Sequence, residues 1–306
     1  MRIVFTGGTS FSGLWFVQEL VRSGHEVLAP LRQKKEAYSG LRKARLHVLE
    51  QYAETIEEAP FGSDRFLNAL APVDLLCHHA AEVTNYKSPD FNITAALENN
   101  THRLQRVLGA LKCHTVILTG SVFEPGEGEG SDQQRAVSPY GLSKGLTAAY
   151  VQYYVEKEGM RFKKFVIPNP FGPYEEVRFT TFLIQQWLKG HKAPVAMPAY
   201  VRDNIPITLL AKAYADFVVK DLPKLNPSGY VESQGDFTLR FQGEMRKRLH
   251  LPCEVDFKEQ LEFPEPKVRI NVDKLSLEWD EKAFWDELAE FYLRTYEVDR
   301  HCHINP

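Results

Sequence analysis

A tyrosine and a lysine lie four residues apart in the segment 138–144 (SPYGLSK). Residues at i and i+4 share one face of a helix, so the ammonium group of Lys144 can lie beside the phenol of Tyr140. A free tyrosine has a pKa of about 10 and is a poor base at neutral pH, whereas a neighbouring cation favours its phenolate. The spacing predicts a proton-transfer pair, although a pair on a surface helix has the same pattern.

A glycine-rich segment follows the first short apolar run of the chain. Glycines at such a turn let the backbone approach a phosphate, and the following helix presents free N–H groups to the anion. The segment therefore predicts a dinucleotide-binding turn, formed by Thr6, Gly7, Gly8, Thr9, Ser10, Phe11, Ser12 and Gly13.

The second predicted strand ends in a basic residue. Sites that select NAD usually carry Asp or Glu there, which accepts hydrogen bonds from the adenosine ribose. Here the strand runs into Arg32, followed by Lys34 and Lys35. Because a guanidinium pairs with a 2′-phosphate, the sequence favours NADP(H), with NAD(H) as the alternative. The two lysines are explained equally well as solvated residues at the start of a helix.

Strands alternate with helices along the first half of the chain. Short apolar runs at 2–6, 25–30, 73–78, 115–119 and 165–168 are separated by helical stretches, among them 91–111 and 140–158. This alternation predicts an α/β fold with a doubly wound parallel sheet and right-handed crossovers.

From residue 168 onwards prolines are frequent and the alternation ends. We expect a Rossmann domain of residues 1–168 and about 203–226, and a smaller C-terminal α+β substrate-binding domain of 169–202 and about 227–306. The glycine-rich stretch 126–130 predicts a mobile loop. A packed amphipathic helix is predicted from apolar residues at helical spacing, namely Phe284, Trp285, Leu288, Phe291 and Tyr292.

Over about residues 1–220 the chain resembles the extended short-chain dehydrogenase/reductase family, and in particular its NAD-dependent epimerase/dehydratase-like nucleotide-sugar enzymes. The family's Thr-Gly-x-x-Gly-x-x-Gly turn is present with Ser10 at the middle glycine. The segments 74–81 (DLLCHHAA), 167–173 (IPNPFGP) and 200–205 (YVRDNI) resemble further motifs of the family in the same order.

The resemblance implies roles for individual residues. Ser121 corresponds to the catalytic hydroxyl beside Tyr140 and Lys144, and Thr119 is the weaker candidate. Lys144 also binds the cofactor ribose. The asparagine that supports this lysine is Asn100, or Asn99 in the alternative register. Further implied cofactor contacts are His78, Ala80, Ala81, Thr119 and Pro168.

The implied reaction is NAD(P)-linked hydride transfer on a nucleotide-diphosphate sugar. Dehydratases of the family carry an Asp-Glu pair directly after the catalytic residue, whereas Val122 and Phe123 follow Ser121 here. Arg32 favours an NADPH-dependent reductase of a 4-keto-6-deoxyhexose, as in deoxysugar biosynthesis, with the proton from Tyr140. The alternatives are a nucleotide-sugar 4-epimerase with bound NAD(P) and a catalytically inactive cofactor- or RNA-binding scaffold.

A sugar diphosphate requires cations, and the second region contains Arg178, Arg202, Arg240 and Arg269, of which Arg202 and Arg269 are preferred. The predicted substrate-binding residues are Glu82, Ser121, Val122, Tyr140, Asn169, Phe171, Arg178, Arg202 and Arg269.

The composition excludes several classes of protein. The 306 residues are 43% hydrophobic and 25% charged, which excludes disordered and fibrous chains. A net charge of −3 argues against nucleic-acid binding. No run approaches the ~20 apolar residues of a membrane span, and no signal-peptide layout is present, so a cytoplasmic protein is expected. No metal site or disulfide is predicted, because no CxxC pair occurs among Cys77, Cys113, Cys253 and Cys302.

Members of the resembled family often form dimers by pairing two helices of each subunit. In this chain these are the predicted helices near 91–111 and 140–158, which leads us to expect a homodimer. The apolar residues Leu104, Val107, Leu108, Tyr150, Val151 and Tyr154 form either this interface or the core, two roles that the sequence does not separate.

Overall fold

The structure is a computed structural model that describes residues 1–70, 72–131, 135–259 and 265–296. Its strands are β1 (Arg2–Thr6), β2 (Glu26–Pro30), β3 (Glu54–Ile56), β4 (Leu75–His78), β5 (Thr115–Ser121), β6 (Glu129–Gly130), β7 (Arg161–Ile167), β8 (Asn169–Phe171), β9 (Ala193–Val195), β10 (Val201–Pro206), β11 (Lys224–Leu225), β12 (Pro227–Ser228), β13 (Tyr230–Ser233), β14 (Val255–Phe257), β15 (Val268–Ile270) and β16 (Asp273–Lys274).

The helices are α1 (Phe11–Arg22), α2 (Gly40–Leu49), α3 (Asp64–Asn68), α4 (Ile93–Asn100), α5 (Leu104–Ala110), α6 (Pro139–Lys157), α7 (Phe179–Leu188), α8 (Ile207–Val219), α9 (Gln234–Leu249) and α10 (Glu281–Tyr296), with a 3-10 turn at Lys35–Ala37.

A seven-stranded sheet has the order β11-β7-β5-β4-β1-β2-β3. Every neighbouring pair in it is parallel, which confirms the predicted doubly wound α/β fold. The strand order reverses between β1 and β4, and in such sheets ligands bind beyond the carboxyl ends of the strands at this point.

Apolar side chains cover both faces of this sheet. Ile3 and Phe5 of β1 pack into the cluster that includes α1 and α8, whereas Val4 packs on the other face with residues of α5 and α6. Alternate residues of a strand point to opposite faces, so the continuous apolar run of β1 reflects burial on both sides.

A second sheet has the order β13-β10-β15-β6, with β8 beside β10. Phe171 of β8 makes ring contacts with Phe237 of α9 and with Phe284 and Trp285 of α10. The predicted C-terminal amphipathic helix is confirmed as α10, and all five residues of its apolar stripe are buried.

Two sequence predictions differ from the structure. The helix predicted at 91–111 is two helices, broken where Arg103 adopts a left-handed conformation (φ 50°) and the Asn100 carbonyl accepts a hydrogen bond from His78. The predicted loop at 126–130 contains β6, which pairs with β15. Of the apolar residues assigned to either the dimer interface or the core, Leu104, Val107, Leu108 and Val151 are buried in the core of the subunit.

The strand β10 pairs with β13, β15 and β8 in the second sheet, whereas α8 packs against α1 beside the first. The chain therefore passes between the two sheets near residue 206, and the domain boundaries given above stay predictions.

Within the described ranges, no helix is both long and apolar enough to cross a membrane. Cys77, Cys113 and Cys253 are free and buried thiols, while Cys302 lies outside the described residues.

Candidate active site

A cavity of about 1570 Å³ lies at the carboxyl ends of β1, β4 and β5 and extends to the second sheet. The predicted site residues that line it are Thr6, Gly7, Thr9, Ser10, Phe11, Ser12, Arg32, His78, Ala80, Ala81, Asn100, Thr119, Ser121, Tyr140, Lys144, Pro168, Asn169, Phe171, Arg178 and Arg202. Those absent from its lining are Gly8, Gly13, Glu82, Val122 and Arg269.

Close backbone contacts explain the glycines of the turn. Gly7 has φ +81°, and a Cβ atom at this position would lie 2.9 Å from the Ala80 nitrogen. A Cβ atom at Gly13 would lie 2.2 Å from the Gly7 carbonyl oxygen. The glycines thus allow α1 to begin directly against the end of β1, where N–H groups of its first turn lack helical partners.

Ser10, the departure from the glycine pattern, caps α1. Its Oγ accepts a hydrogen bond from the Gly13 nitrogen (3.1 Å) and lies 3.1 Å from Nε2 of His79. Ser12 Oγ lies 3.1 Å from the same nitrogen. The hydroxyl therefore stabilises the start of the helix through a side-chain hydrogen bond that glycine cannot form.

Two buried histidines hold the strand ends together. Thr6 Oγ1 accepts hydrogen bonds from the backbone nitrogens of His79 and Ala80. The proton of the Thr6 hydroxyl is therefore donated to the ring atom Nδ1 of His78. The opposite ring nitrogen of His78 then donates to the Asn100 carbonyl (2.8 Å). Burial lowers the pKa of His78 to about 4 and that of His79 to about 3. Both rings are therefore neutral structural groups.

The tyrosine–lysine pair lies in the first turns of α6. Ser138 caps this helix by accepting a hydrogen bond from the Gly141 nitrogen (3.2 Å). Lys144 is 5% exposed, and its Nζ donates to the Thr119 carbonyl (2.5 Å). Burial lowers the pKa of Lys144. The ammonium group is thus held at the end of β5, facing the cavity that Tyr140 also lines.

Aromatic rings surround the Tyr140 phenol. The Tyr86 and Phe91 rings make edge contacts with it at centroid distances of 5.4 and 5.9 Å. Burial raises the pKa of Tyr140, the charge of Glu124 raises it further, and Arg178 opposes this effect. Tyr140 is therefore protonated at neutral pH, as a proton donor must be.

Both candidate hydroxyls lie at the end of β5. The Thr119 hydroxyl is 3.0 Å from Nδ1 of His79, whereas the Ser121 hydroxyl accepts a long hydrogen bond (3.3 Å) from the Phe123 nitrogen. Since a hydroxyl group that accepts one bond still has its proton to donate, Ser121 can donate to a substrate oxygen.

Glu124 is a positioning residue that the sequence analysis missed. It is fully buried, accepts a hydrogen bond from the Ser121 nitrogen (2.7 Å) and pairs with Lys164 (2.6 Å). Lys164 also pairs with Glu127 (2.8 Å). The available signals were two adjacent lysines in β7 (RFKKFVI) and two acids at the glycine-rich stretch.

Asn100 connects α4 to α6. Its Nδ2 donates to Thr147 Oγ1 of α6 (3.2 Å), and its Oδ1 accepts from the Glu82 nitrogen (2.8 Å). The Asn99 amide lies 3.5 Å from the Glu82 carboxylate instead.

The prediction that Arg269 binds a diphosphate is wrong. Its side chain is fully buried in the second sheet and donates to the carbonyls of Val122 (2.7 Å), Glu124 (2.7 Å) and Arg135 (3.2 Å). Arg269 therefore anchors the segment that follows β5. Val122 belongs to this anchored backbone and is 1% exposed, so its side chain is placed in the core.

The other arginines differ in their access to the cavity. Arg202 lines it, but its guanidinium pairs with Glu265 (2.9 Å). Arg178 also lines it and, among the described residues, forms no ion pair. Arg240 pairs with Glu232 (2.8 Å) outside the lining.

The Glu82 carboxylate is held by hydrogen bonds and is absent from the cavity lining. One carboxylate oxygen accepts a hydrogen bond from Arg32 (3.2 Å), and the other accepts from the Val83 and Thr84 nitrogens. The Glu82 carboxylate is thus bonded to Arg32 and to its own turn and is absent from the cavity lining, so its assignment to substrate binding stays a prediction. No group of three or more His, Cys, Asp or Glu in the described part of the chain is arranged to hold a metal ion.

The model of the NAD dependent epimerase/dehydratase family matches residues 3–212. The chain belongs to this family. It is therefore an NAD(P)-dependent enzyme of the extended short-chain dehydrogenase/reductase type. The search of curated proteins returned no match.

Solved structures of family enzymes share the fold. A UDP-glucuronic acid 4-epimerase from Bacillus cereus, in complex with UDP-glucuronic acid and NAD, is 18% identical with a TM-score of 0.75, covering 97% of this chain and 100% of that chain. A UDP-glucose 4-epimerase from Thermotoga maritima, with UDP-glucose, is 16% identical with a TM-score of 0.75, and the match covers 96% of this chain and 99% of that chain. The dTDP-glucose 4,6-dehydratase DesIV from Streptomyces venezuelae, with NAD bound, is 16% identical with a TM-score of 0.73, and the match covers 97% of this chain and 98% of that chain.

Proposed function

We propose that this protein catalyses reversible oxidation and reduction at carbon 4 of a nucleotide-linked sugar, with 4-epimerisation as the net reaction. The observation that carries this proposal is that one cavity joins the glycine turn, the Tyr140–Lys144 pair and the wall that contains Arg178. The cavity is thus large enough and suitably lined for a dinucleotide and a nucleotide sugar together.

The residues present fit a nicotinamide dinucleotide. The glycine turn and the first turn of α1 would hold the pyrophosphate, since neither Gly7 nor Gly13 has room for a Cβ atom. Lys144 would bind the ribose hydroxyls, and Ala80 and Ala81 leave space beside them. A bound nicotinamide supplies reversible hydride transfer.

The protein's own residues move the proton and hold the substrate oxygen. Tyr140 takes the proton of the sugar hydroxyl during oxidation and returns it during reduction. The ammonium group of Lys144 lowers the cost of the phenolate. Ser121 donates a hydrogen bond to the same oxygen as negative charge develops.

The carboxylates argue against dehydration, which needs a separate acid and base. Glu124, next to Ser121, is absent from the cavity lining and bonded to Lys164. Glu175 lines the cavity, yet it accepts hydrogen bonds from the Gly172 nitrogen and from the hydroxyls of Thr180 and Thr181.

The diphosphate of the sugar nucleotide is assigned to Arg178, with Arg202 as the second cation. Because Glu265 neutralises much of the charge of Arg202, Arg178 contributes more to anion binding. Asn169 and Phe171, which line the same cavity, would contact the sugar.

A second candidate function is the NADPH-dependent reduction of a nucleotide-linked 4-keto-6-deoxyhexose. It is favoured by Arg32 and Arg42, which line the cavity together with Tyr38 beyond the end of β2. Two guanidinium groups there suit a 2′-phosphate.

The test uses the purified enzyme with UDP-glucose, UDP-glucuronic acid and UDP-N-acetylglucosamine, and NMR to detect inversion at carbon 4. A parallel assay follows NADPH absorbance with dTDP-4-keto-6-deoxyglucose. Inversion without net NADPH consumption supports the epimerase. Stoichiometric NADPH consumption without inversion supports the reductase instead, and the absence of both reactions contradicts the proposal.

A further inference from the structure

An ion pair joins the ends of two strands that flank β1. Arg32 follows β2 and Glu82 follows β4, and the Arg32 Nη2 atom lies 3.2 Å from the Glu82 Oε2 atom. Because β1 lies between these two strands and leads into the glycine turn, the pair lies across the end of the dinucleotide-binding strand.

The carboxylate of Glu82 is held firmly in this position. Its second oxygen accepts hydrogen bonds from the Val83 nitrogen (3.1 Å) and the Thr84 nitrogen (2.9 Å). The Glu82 backbone is fixed in turn by Asn100 (2.8 Å). The side chain of Glu82 is 16% exposed and that of Arg32 is 60% exposed. Glu82 is therefore the ordered partner, and Arg32 remains accessible to a ligand.

Glu82 is also ionised. Burial raises its pKa, but the hydrogen bonds from Thr84 and the charge of Arg32 outweigh this effect and lower the pKa to about 2. A full negative charge consequently lies beside Arg32 throughout the neutral pH range.

We propose that Glu82 determines the dinucleotide preference of this enzyme by occupying Arg32, so that NAD(H) is bound in preference to NADP(H). This inference rests on the proposed dinucleotide site. A 2′-phosphate at Arg32 has to share the guanidinium with the Glu82 carboxylate and is repelled by it. Sites selective for NAD carry an acid after β2, and here the acid comes from the end of β4.

The position of Arg32 in the sequence suggests NADP(H) binding, whereas its ion pair with Glu82 favours NAD(H). An arginine after β2 indicates NADP(H) when its charge is available to a phosphate. Here the charge is already compensated. Arg42 lines the same cavity and forms no ion pair within the described ranges, so it is a second cation for a phosphate in the Glu82→Gln variant.

The experiment measures dissociation constants of NADH and NADPH by calorimetric titration of the wild type and three variants. Glu82→Gln keeps an acceptor for Val83 and Thr84 but removes the charge. Arg32→Met removes the exposed cation of the ion pair and leaves the Glu82 carboxylate in place. Glu50→Gln is the matched control, because Glu50 forms a comparable ion pair with Lys35 (2.7 Å) away from the cavity lining.

We expect the wild type to bind NADH more tightly than NADPH. Glu82→Gln shifts the ratio of the two constants toward NADPH by about tenfold or more, and Arg32→Met shifts it toward NADH by a similar factor. Glu50→Gln leaves the ratio unchanged. Thermal melting of each variant confirms its folding, and the preference of the wild type for NADH or NADPH provides the test if Glu82→Gln does not fold.

A wild type that prefers NADPH, or a ratio that stays the same in folded Glu82→Gln, overturns the inference and leaves the proposed function intact. A wild type that binds neither dinucleotide overturns the proposed function together with it.

Discussion

At the scale of single residues, the charge state of Tyr140 depends on groups far from it in the chain. Burial between aromatic rings and the charge of Glu124 raise its pKa, while Lys144 is held at the end of β5 by the Thr119 carbonyl. The phenol is therefore protonated at neutral pH, and a cation close to the phenol is required before Tyr140 can act as a base.

Removal of the Tyr140 hydroxyl tests its role in proton transfer. We expect Tyr140→Phe to lower kcat by about a hundredfold or more, in the usual range for loss of a general acid or base, and to change KM by less than about threefold. Tyr150→Phe, at an exposed position on the same helix, is the matched control. Equal kcat values for wild type and Tyr140→Phe would show that another group moves the proton.

His79 gives the fold a dependence on pH. Its folded-state pKa of about 3 lies below the ordinary value of 6.5, so the unfolded chain binds one more proton between these values. The stabilising contribution of His79 is complete above pH 6.5 and is lost as the pH falls toward 3. The difference in unfolding free energy between wild type and His79→Gln should thus shrink by about 1.4 kcal/mol per pH unit below pH 6.5.

Urea unfolding at pH 7, 6 and 5 measures this difference, and His47→Gln, at an exposed position of α2, serves as control. A difference that does not change with pH would mean that His79 has the same pKa in the folded and the unfolded protein, so that burial does not lower it.

At the scale of elements, α1 and the glycine turn form one unit through backbone contact. A Cβ atom at Gly13 would lie 2.2 Å from the Gly7 carbonyl oxygen. Because this oxygen belongs to the backbone and not to a flexible side chain, α1 would have to move. We expect Gly13→Ala to destabilise the protein by about 2 to 3 kcal/mol, as overpacking does, and to weaken dinucleotide binding.

Gly109 is the matched helical glycine. It is exposed on α5 with nothing within 4 Å of its Cβ position, so Gly109→Ala should stabilise the protein by about 0.5 to 1 kcal/mol. Unfolding free energies from denaturant titration check both values. If the two substitutions had effects of the same sign, close packing at Gly13 would not be the reason for its glycine.

The strands, the glycine turn and α6 could be predicted from sequence because each depends on local spacing. The break between α4 and α5 could not, since it involves a bond from His78, which belongs to a distant strand. Arg269 shows the same limit. Because it is an arginine, the sequence suggested that it binds phosphate. Its place in the second sheet, which the sequence does not reveal, directs its guanidinium to the backbone carbonyls that follow β5. The pairing of Arg32 with Glu82 likewise depends on the order of the strands.

At the scale of the whole molecule, the exposed face of α6 indicates how two copies associate. Four large apolar side chains at helical spacing are exposed on it, namely Leu142 (37%), Leu146 (42%), Tyr150 (39%) and Tyr153 (61%). Four of the six apolar side chains named from the sequence are in the core, so Leu142, Leu146 and Tyr153 join Tyr150 as candidates. An apolar stripe on an otherwise polar surface favours a protein contact.

We therefore expect a homodimer that buries this stripe of α6. Light scattering after size exclusion should give about twice the chain mass of 35.0 kDa for the wild type. The double variant Leu146→Lys/Tyr153→Lys should run as a monomer, because it places four like charges in the symmetric contact. Leu239→Lys, at a 51% exposed apolar position on α9, is the control and should remain dimeric. A monomeric wild type, or a double variant that stays dimeric, would exclude α6 as the interface.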